Sequence, residues 1–161
     1  MSEINKVFDD KEINEALGRF IRTLSSLEMI LIIAVATVVG IKPGAACLLL
    51  SKTAGRAKAD VLKKALKDKG FETDSELSIS LKKIQSLMDR RNEIVHDPIV
   101  VHGNSGRWVT LRGKLTEDIE GEFEKVPLDP KKLDQDSEEL KKIMKIIADK
   151  ILVRYGGFSY V

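Results

Sequence analysis

Apolar residues recur at helical spacing along most of this chain. Leu17, Phe20, Ile21, Leu24, Leu27, Leu31 and Val35 step by three and four residues, with Lys11, Arg19 and Arg22 off that stripe. The spacing predicts one long helix over residues 10–40. From Met29 to Ile41 the chain is apolar all round, but this run is shorter than the roughly 18 residues a membrane span needs, and Lys42-Pro43-Gly44 interrupts it. A central buried helix is the better expectation. Pro43 suits the first turn of a second helix over 42–69, stopped by Gly70, and the run Ser51-Lys52-Thr53-Ala54-Gly55 permits a bend within it. Thr73-Asp74-Ser75-Glu76 reads as a capping box with Thr73 as N-cap and Glu76 closing it. The third helix follows, with an apolar stripe of Leu77, Leu81, Ile84, Met88 and Val95, and Pro98 stops it near His96.

Beyond Pro98 the period becomes extended. Residues 99–102 and 107–112 flank the turn Gly103-Asn104-Ser105-Gly106, a hairpin signal, and a further strand is expected around 122–126. Trp108 is the expected anchor of this ribbon on the helices, with base stacking as its functional alternative. The last helix starts at Asp129-Pro130, carries Leu140, Ile143, Met144, Ile147, Ile151 and Leu152 on one stripe, and ends near Tyr155 before Gly156-Gly157. The fold class is therefore mainly α. A bundle of four main helices, with a small β-hairpin insertion over about 98–126 between the last two, forms a single domain over 1–161.

Composition narrows the function classes. With 43% apolar but only 5% aromatic residues, the core is aliphatic, which suits helix-on-helix packing. A net charge of +2 is too small to mark a dedicated nucleic-acid binder. The single cysteine, Cys47, lies in an apolar run and reads as a buried, inert thiol in a reducing compartment. Residues 1–15 are charged and polar, so no leader is expected. No phosphate-binding glycine loop, paired-cysteine zinc site or His-Glu-x-x-His motif is present.

The chemistry concentrates at Asp89-Arg90-Arg91-Asn92-Glu93-Ile94-Val95-His96-Asp97-Pro98. The apolar stripe of the third helix skips position 91, so a guanidinium stands where a leucine belongs. Burial of an arginine costs several kcal/mol unless it is paired or lines a wet cleft. Arg90 shares the polar face with Lys83, Ser86, Glu93 and Asp97, where it is a candidate for substrate contact. His96 falls in the last turn, where free carbonyls favour the imidazolium and proton transfer near neutral pH is within reach. Asn92, four residues earlier, shares a face with His96. Arg91 and His96 stand about 140° apart around the axis, flanking a cleft without stacking. Glu28, at the start of the all-apolar run, lies at the surface or in a core ion pair with Arg91 or a basic residue of the second helix. The basic half of that helix, Lys58 included, is a solvated face or a contact for RNA phosphates. His102 beside the turn reads as a surface residue. The acidic stretch around Glu117 to Glu124 would repel RNA and protects a strand edge.

Arg91-Asn92-x-x-x-His96 resembles the signature of the HEPN superfamily, small helical-bundle domains of which many are metal-independent ribonucleases. The Phe-Ile-x-x-Leu-Ser-x-Leu-Glu pattern of Phe20 to Glu28 and the order of elements resemble bacterial and phage members. The resemblance implies a homodimer through the motif helix, with two motif copies making one cleft. It implies RNA as substrate, a tRNA loop or another specific RNA, cleaved by its own 2′-hydroxyl. Arg91 would stabilise the phosphoryl charge, His96 would transfer the proton, as base on the 2′-hydroxyl or acid on the leaving oxygen, and Asn92 would orient His96 or bind a phosphate oxygen. Lys58, Arg90 and Trp108 are the candidate substrate contacts. It implies no metal, cofactor or membrane, a cytoplasmic location, and a toxin or antiphage effector held by an antitoxin or regulatory partner. The alternative is a non-catalytic binding or regulatory module in which Arg91 and His96 are structural, with Arg91 paired to Glu28 and His96 capping carbonyls.

Overall fold

In the computed structural model the described residues are 11–71, 73–96, 99–102, 107–113 and 123–154, with backbone alone at 100–102, 107–108, 111–113 and 123–125. Five α-helices and three strands follow in the order α1 (Lys11–Val39), α2 (Pro43–Leu50), α3 (Gly55–Asp68), α4 (Ser75–His96), β1 (Ile99–His102), β2 (Arg107–Gly113), β3 (Phe123–Pro127) and α5 (Pro130–Ile147). A wider π-helical turn over Ala148–Val153 continues α5. The architecture is mainly α, as the spacing predicts.

The long helices α1, α3, α4 and α5 form a ring of neighbours. α1 packs most extensively on α5 and also on α3, while α4 closes the other side against α3 and α5. The reason is visible in each stripe. Phe20, Leu24, Leu27 and Leu31 of α1, Leu62 and Leu66 of α3, Leu81 and Ile84 of α4, and Leu133, Leu140, Ile143 and Ile147 of α5 are all essentially inaccessible. They meet in one aliphatic core. α1 is long and apolar enough to cross a membrane by length and composition, but its stripe faces this core.

The second helix predicted from sequence is two helices. α2 ends at Leu50, where the Ser51 amide donates to the Cys47 carbonyl and the Thr53 amide to the Leu50 carbonyl, and Ala54 is extended before α3 begins. α2 lies outside the ring, packed on α1 through a small cluster of Ile32, Ala36 and Ala46, with Cys47 half-buried beside it instead of fully enclosed. Leu48 and Leu49 are 86% and 73% exposed.

Two further details of α4 differ from the sequence expectation. Asp74, and not Thr73, caps it: the Asp74 carboxylate accepts from the Leu77 amide at 2.9 Å. At its other end Ile94 is buried while Val95 is 47% exposed. Ile94 instead continues a second buried row of this helix, Ser80 and Leu87, at seven-residue steps. The sheet has the order β1-β2-β3, antiparallel throughout, with Val101 opposite Trp108 and Thr110 opposite Val126. β3 is the further strand expected near 122–126. Val109 and Thr110 of β2 are buried and seat the ribbon on the helices. The side chains of Trp108 and His102, and residues 97, 98 and 114–122, lie outside the described residues. Asp129 caps α5, accepting from the Lys131 amide at 3.0 Å, as Asp-Pro at a helix start leads one to expect.

Candidate functional site

The break between α2 and α3 creates a polar recess. Residues 51–56 form one wall, Met88, Arg91 and Asn92 of α4 the other, and Glu28 of α1 lies between them, around a cleft of about 320 Å³. α3 starts at a glycine where α4 passes close by: a Cβ at Gly55 would lie 2.6 Å from the end of the Met88 side chain, which would have to shift. The first amides of α3 therefore open onto the cleft without a side-chain cap. Sequence reading found the bend here but not its role as a wall. The signal was the small and polar run between two helical patterns, since such loops carry function more often than the elements they join.

Glu28 is half-buried, and its carboxylate is bonded to the ammonium of Lys58, a side chain only 3% exposed. This is the core ion pair with the second helix, one of the two partners considered for Glu28. It removes Lys58 from the set of surface phosphate contacts: the ammonium points inward, beside the start of α3, where a carboxylate is also favoured by the helix dipole. A buried ammonium needs that partner.

Arg91 is half-buried on the cleft wall. Its Nη1 donates to the Asn92 side-chain oxygen at 3.1 Å, and no carboxylate pairs with it among the described residues. The expected pairing of Asn92 with His96 is thus replaced by one with Arg91. His96 is exposed at the last position of α4, is not among the cleft's lining, and has no hydrogen-bond partner among the described residues.

Arg90 departs most from expectation. Its side chain is only 22% exposed and faces α5, with Nε 3.7 Å from the buried carboxylate of Asp136. That Nε is inaccessible and has no hydrogen-bond partner. Lys132 reaches the same carboxylate at 2.9 Å. Arg90 is therefore held between helices and is not on an open polar face. The reason is rotation: α4 is sandwiched between α3 and α5, so two of its faces are covered and adjacent residues point into different grooves.

Among the described residues no group of three His, Cys, Asp or Glu side chains is placed to hold a metal ion. No protein-family model matches the chain, and comparisons with curated proteins and with solved structures return no match.

The cleft can therefore offer a guanidinium free of any described carboxylate, an amide that orients it, hydroxyls from Ser51 and Thr53, and two further cations, Lys52 and Arg56. That donor set suits an anion with several oxygens.

Proposed function

We propose that this chain is a metal-independent endoribonuclease of the HEPN type. The observation that carries this reading is the Arg91 guanidinium, which has no carboxylate partner among the described residues. Glu28, the structural staple considered for it, is bonded to Lys58, while Arg91 lines the same cleft with Asn92 as its partner. An arginine held on an otherwise apolar helix face without a described counter-charge is suited to a phosphate.

In the reaction the 2′-hydroxyl of the RNA loses its proton to His96 and bonds to the adjacent phosphorus. The bond from phosphorus to the 5′-oxygen breaks, that oxygen takes a proton from water, and the His96 imidazolium returns its proton to solvent. The products are a 2′,3′-cyclic phosphate and a 5′-hydroxyl. Arg91 donates to the non-bridging oxygens as charge builds on them. His96 lies about 7.5 Å further along α4 than Arg91 and about 140° around it. A second copy across the end of α4 would bring an imidazole to each cleft, and the reading includes this homodimer. The exposed Leu48 and Leu49, next to the cleft, are apolar surface that association can cover. The setting we propose is cytoplasmic, with a specific RNA as target and a partner that restrains the activity of a toxin or antiphage effector.

The test is incubation of the purified protein with total cellular RNA in EDTA, wild type beside His96→Ala and Arg91→Ala. Discrete fragments with cyclic phosphate ends are expected from the wild type alone, and DNA stays intact for lack of the 2′-hydroxyl. If all three proteins leave RNA intact while both variants melt at lower temperature, the two residues are structural. The exposure of His96 away from the cleft favours that second reading, a non-catalytic binding module. The two readings also separate on expression, since a nuclease is toxic unless His96 is replaced.

A further inference from the structure

A larger recess, of about 480 Å³, lies at the opposite end of the same pair of helices. Because α3 and α4 run antiparallel, the groove between them has the candidate cleft at one end and this recess at the other. Lys63 and Lys67, one turn apart, form its α3 wall; Ser78 and Lys82, also one turn apart, form its α4 wall. Phe71 closes the end, half-buried, after Gly70 turns the chain at φ +71°. Leu81 is the floor. The described lining holds three lysines and no carboxylate. Lys63 reaches back to Asp60 at 3.3 Å, whereas Lys67 and Lys82 have no carboxylate partner among the described residues. Between the two ends Arg56 is tied across the groove to the Gln85 amide oxygen at 2.7 Å, an orientation assigned from the hydrogen-bond network.

We infer that this recess holds a single-stranded segment of the RNA substrate, with a phosphate between Lys67 and Lys82 and a base against Phe71. The inference rests on the ribonuclease reading for the identity of its ligand. Cations facing each other across a groove, an aromatic edge and a hydroxyl are the parts by which proteins hold unpaired nucleotides. The distance along α4 from Lys82 to Arg91 is roughly 14 Å, a few nucleotides of extended strand. Asp60 and Asp89 fall on the walls in between by helical spacing, so the attraction is concentrated at the two ends. A duplex keeps its bases stacked and paired and so offers none to Phe71.

The test is fluorescence anisotropy with a labelled single-stranded oligoribonucleotide, on the full chain carrying His96→Ala so that the probe survives. The double variant K67Q/K82Q is expected to bind about tenfold more weakly and to lower the slope of log affinity against log salt by about 0.7, the value for one phosphate of a single strand. Phe71→Leu is expected to weaken binding roughly tenfold with little change in that slope. A duplex of the same sequence should bind more weakly than the single strand. Thermal melting identifies any variant whose fold is lost, and the lysine pair, being exposed, retains it. Equal affinity and slope for wild type and K67Q/K82Q would overturn the inference, as would displacement of the strand by mononucleotide at equal nucleotide concentration. The two proposals fail separately. Lysine-dependent binding without cleavage removes the ribonuclease and keeps the groove; cleavage with lysine-independent binding does the reverse.

Discussion

Helix α4 has a groove on each side, and the two treat charge in opposite ways. On the α5 side the cations are matched: Lys83 with Glu139, Arg90 and Lys132 with Asp136, and Lys150 with both Asp74 and Glu76. On the α3 side Lys67, Lys82 and Arg91 have no carboxylate among the described residues, although Glu28 and Asp60 are close at hand and committed to Lys58 and Lys63. The first groove contributes to holding helices in register. The second keeps donors available, and the adjacent residues Arg90 and Arg91 fall one into each. The difference teaches that the worth of a cation lies in whether the fold has already given it a partner.

The sharpest way to break the comparison is to exchange the roles of the two arginines. Arg91→Ala and His96→Ala are expected to lower RNA cleavage by at least about 10²-fold, with melting temperatures near wild type. Arg90→Ala should do the opposite and keep most cleavage while losing roughly 1–2 kcal/mol of stability, read by urea denaturation. A stability loss at Arg91 with no effect on RNA would merge the two grooves into one structural class.

Glu28→Ala tests the inner pair that releases Arg91. It strands the Lys58 ammonium, 3% exposed, and should cost roughly 2–3 kcal/mol, less than for a fully enclosed pair because Glu28 is itself 30% exposed. If Glu28→Ala leaves the denaturation midpoint unchanged, the pair is not what holds α3 to α1.

The smallest effect is on the acid limb of stability. The Leu77 amide first, and Lys150 second, hold the Asp74 carboxyl below its ordinary 3.8, and Lys83 holds Glu139 below 4.5. A depressed carboxylate stabilises the fold above its unfolded value, and that contribution is lost as pH falls through the lower folded value. Melting temperature should therefore drop as pH falls below about 4.5, with less of a drop in Lys83→Gln and in high salt. Because both carboxylates are at the surface, the change is modest; an acid limb identical in wild type and Lys83→Gln would remove Glu139 from the account.

The sequence by itself determined the elements and the local chemistry. Three- and four-residue steps placed α1, α4 and, counted with its π-helical turn, α5 within a residue or two, Asp129-Pro130 fixed the start of α5, and the glycine-rich turn announced the ribbon. It also singled out position 91 as a cation on an apolar face, because periodicity says which residues share a side of one helix. Tertiary structure decided which sides meet. Glu28 with Lys58, and Arg90 with Asp136, are partners from different helices, and no pattern within one helix can choose between partners on two others. The same applies to the cleft, which exists because α4 crosses the break between α2 and α3 at Gly55. Spacing along one helix is local geometry; the pairing of its charges follows from how four helices close on a shared core.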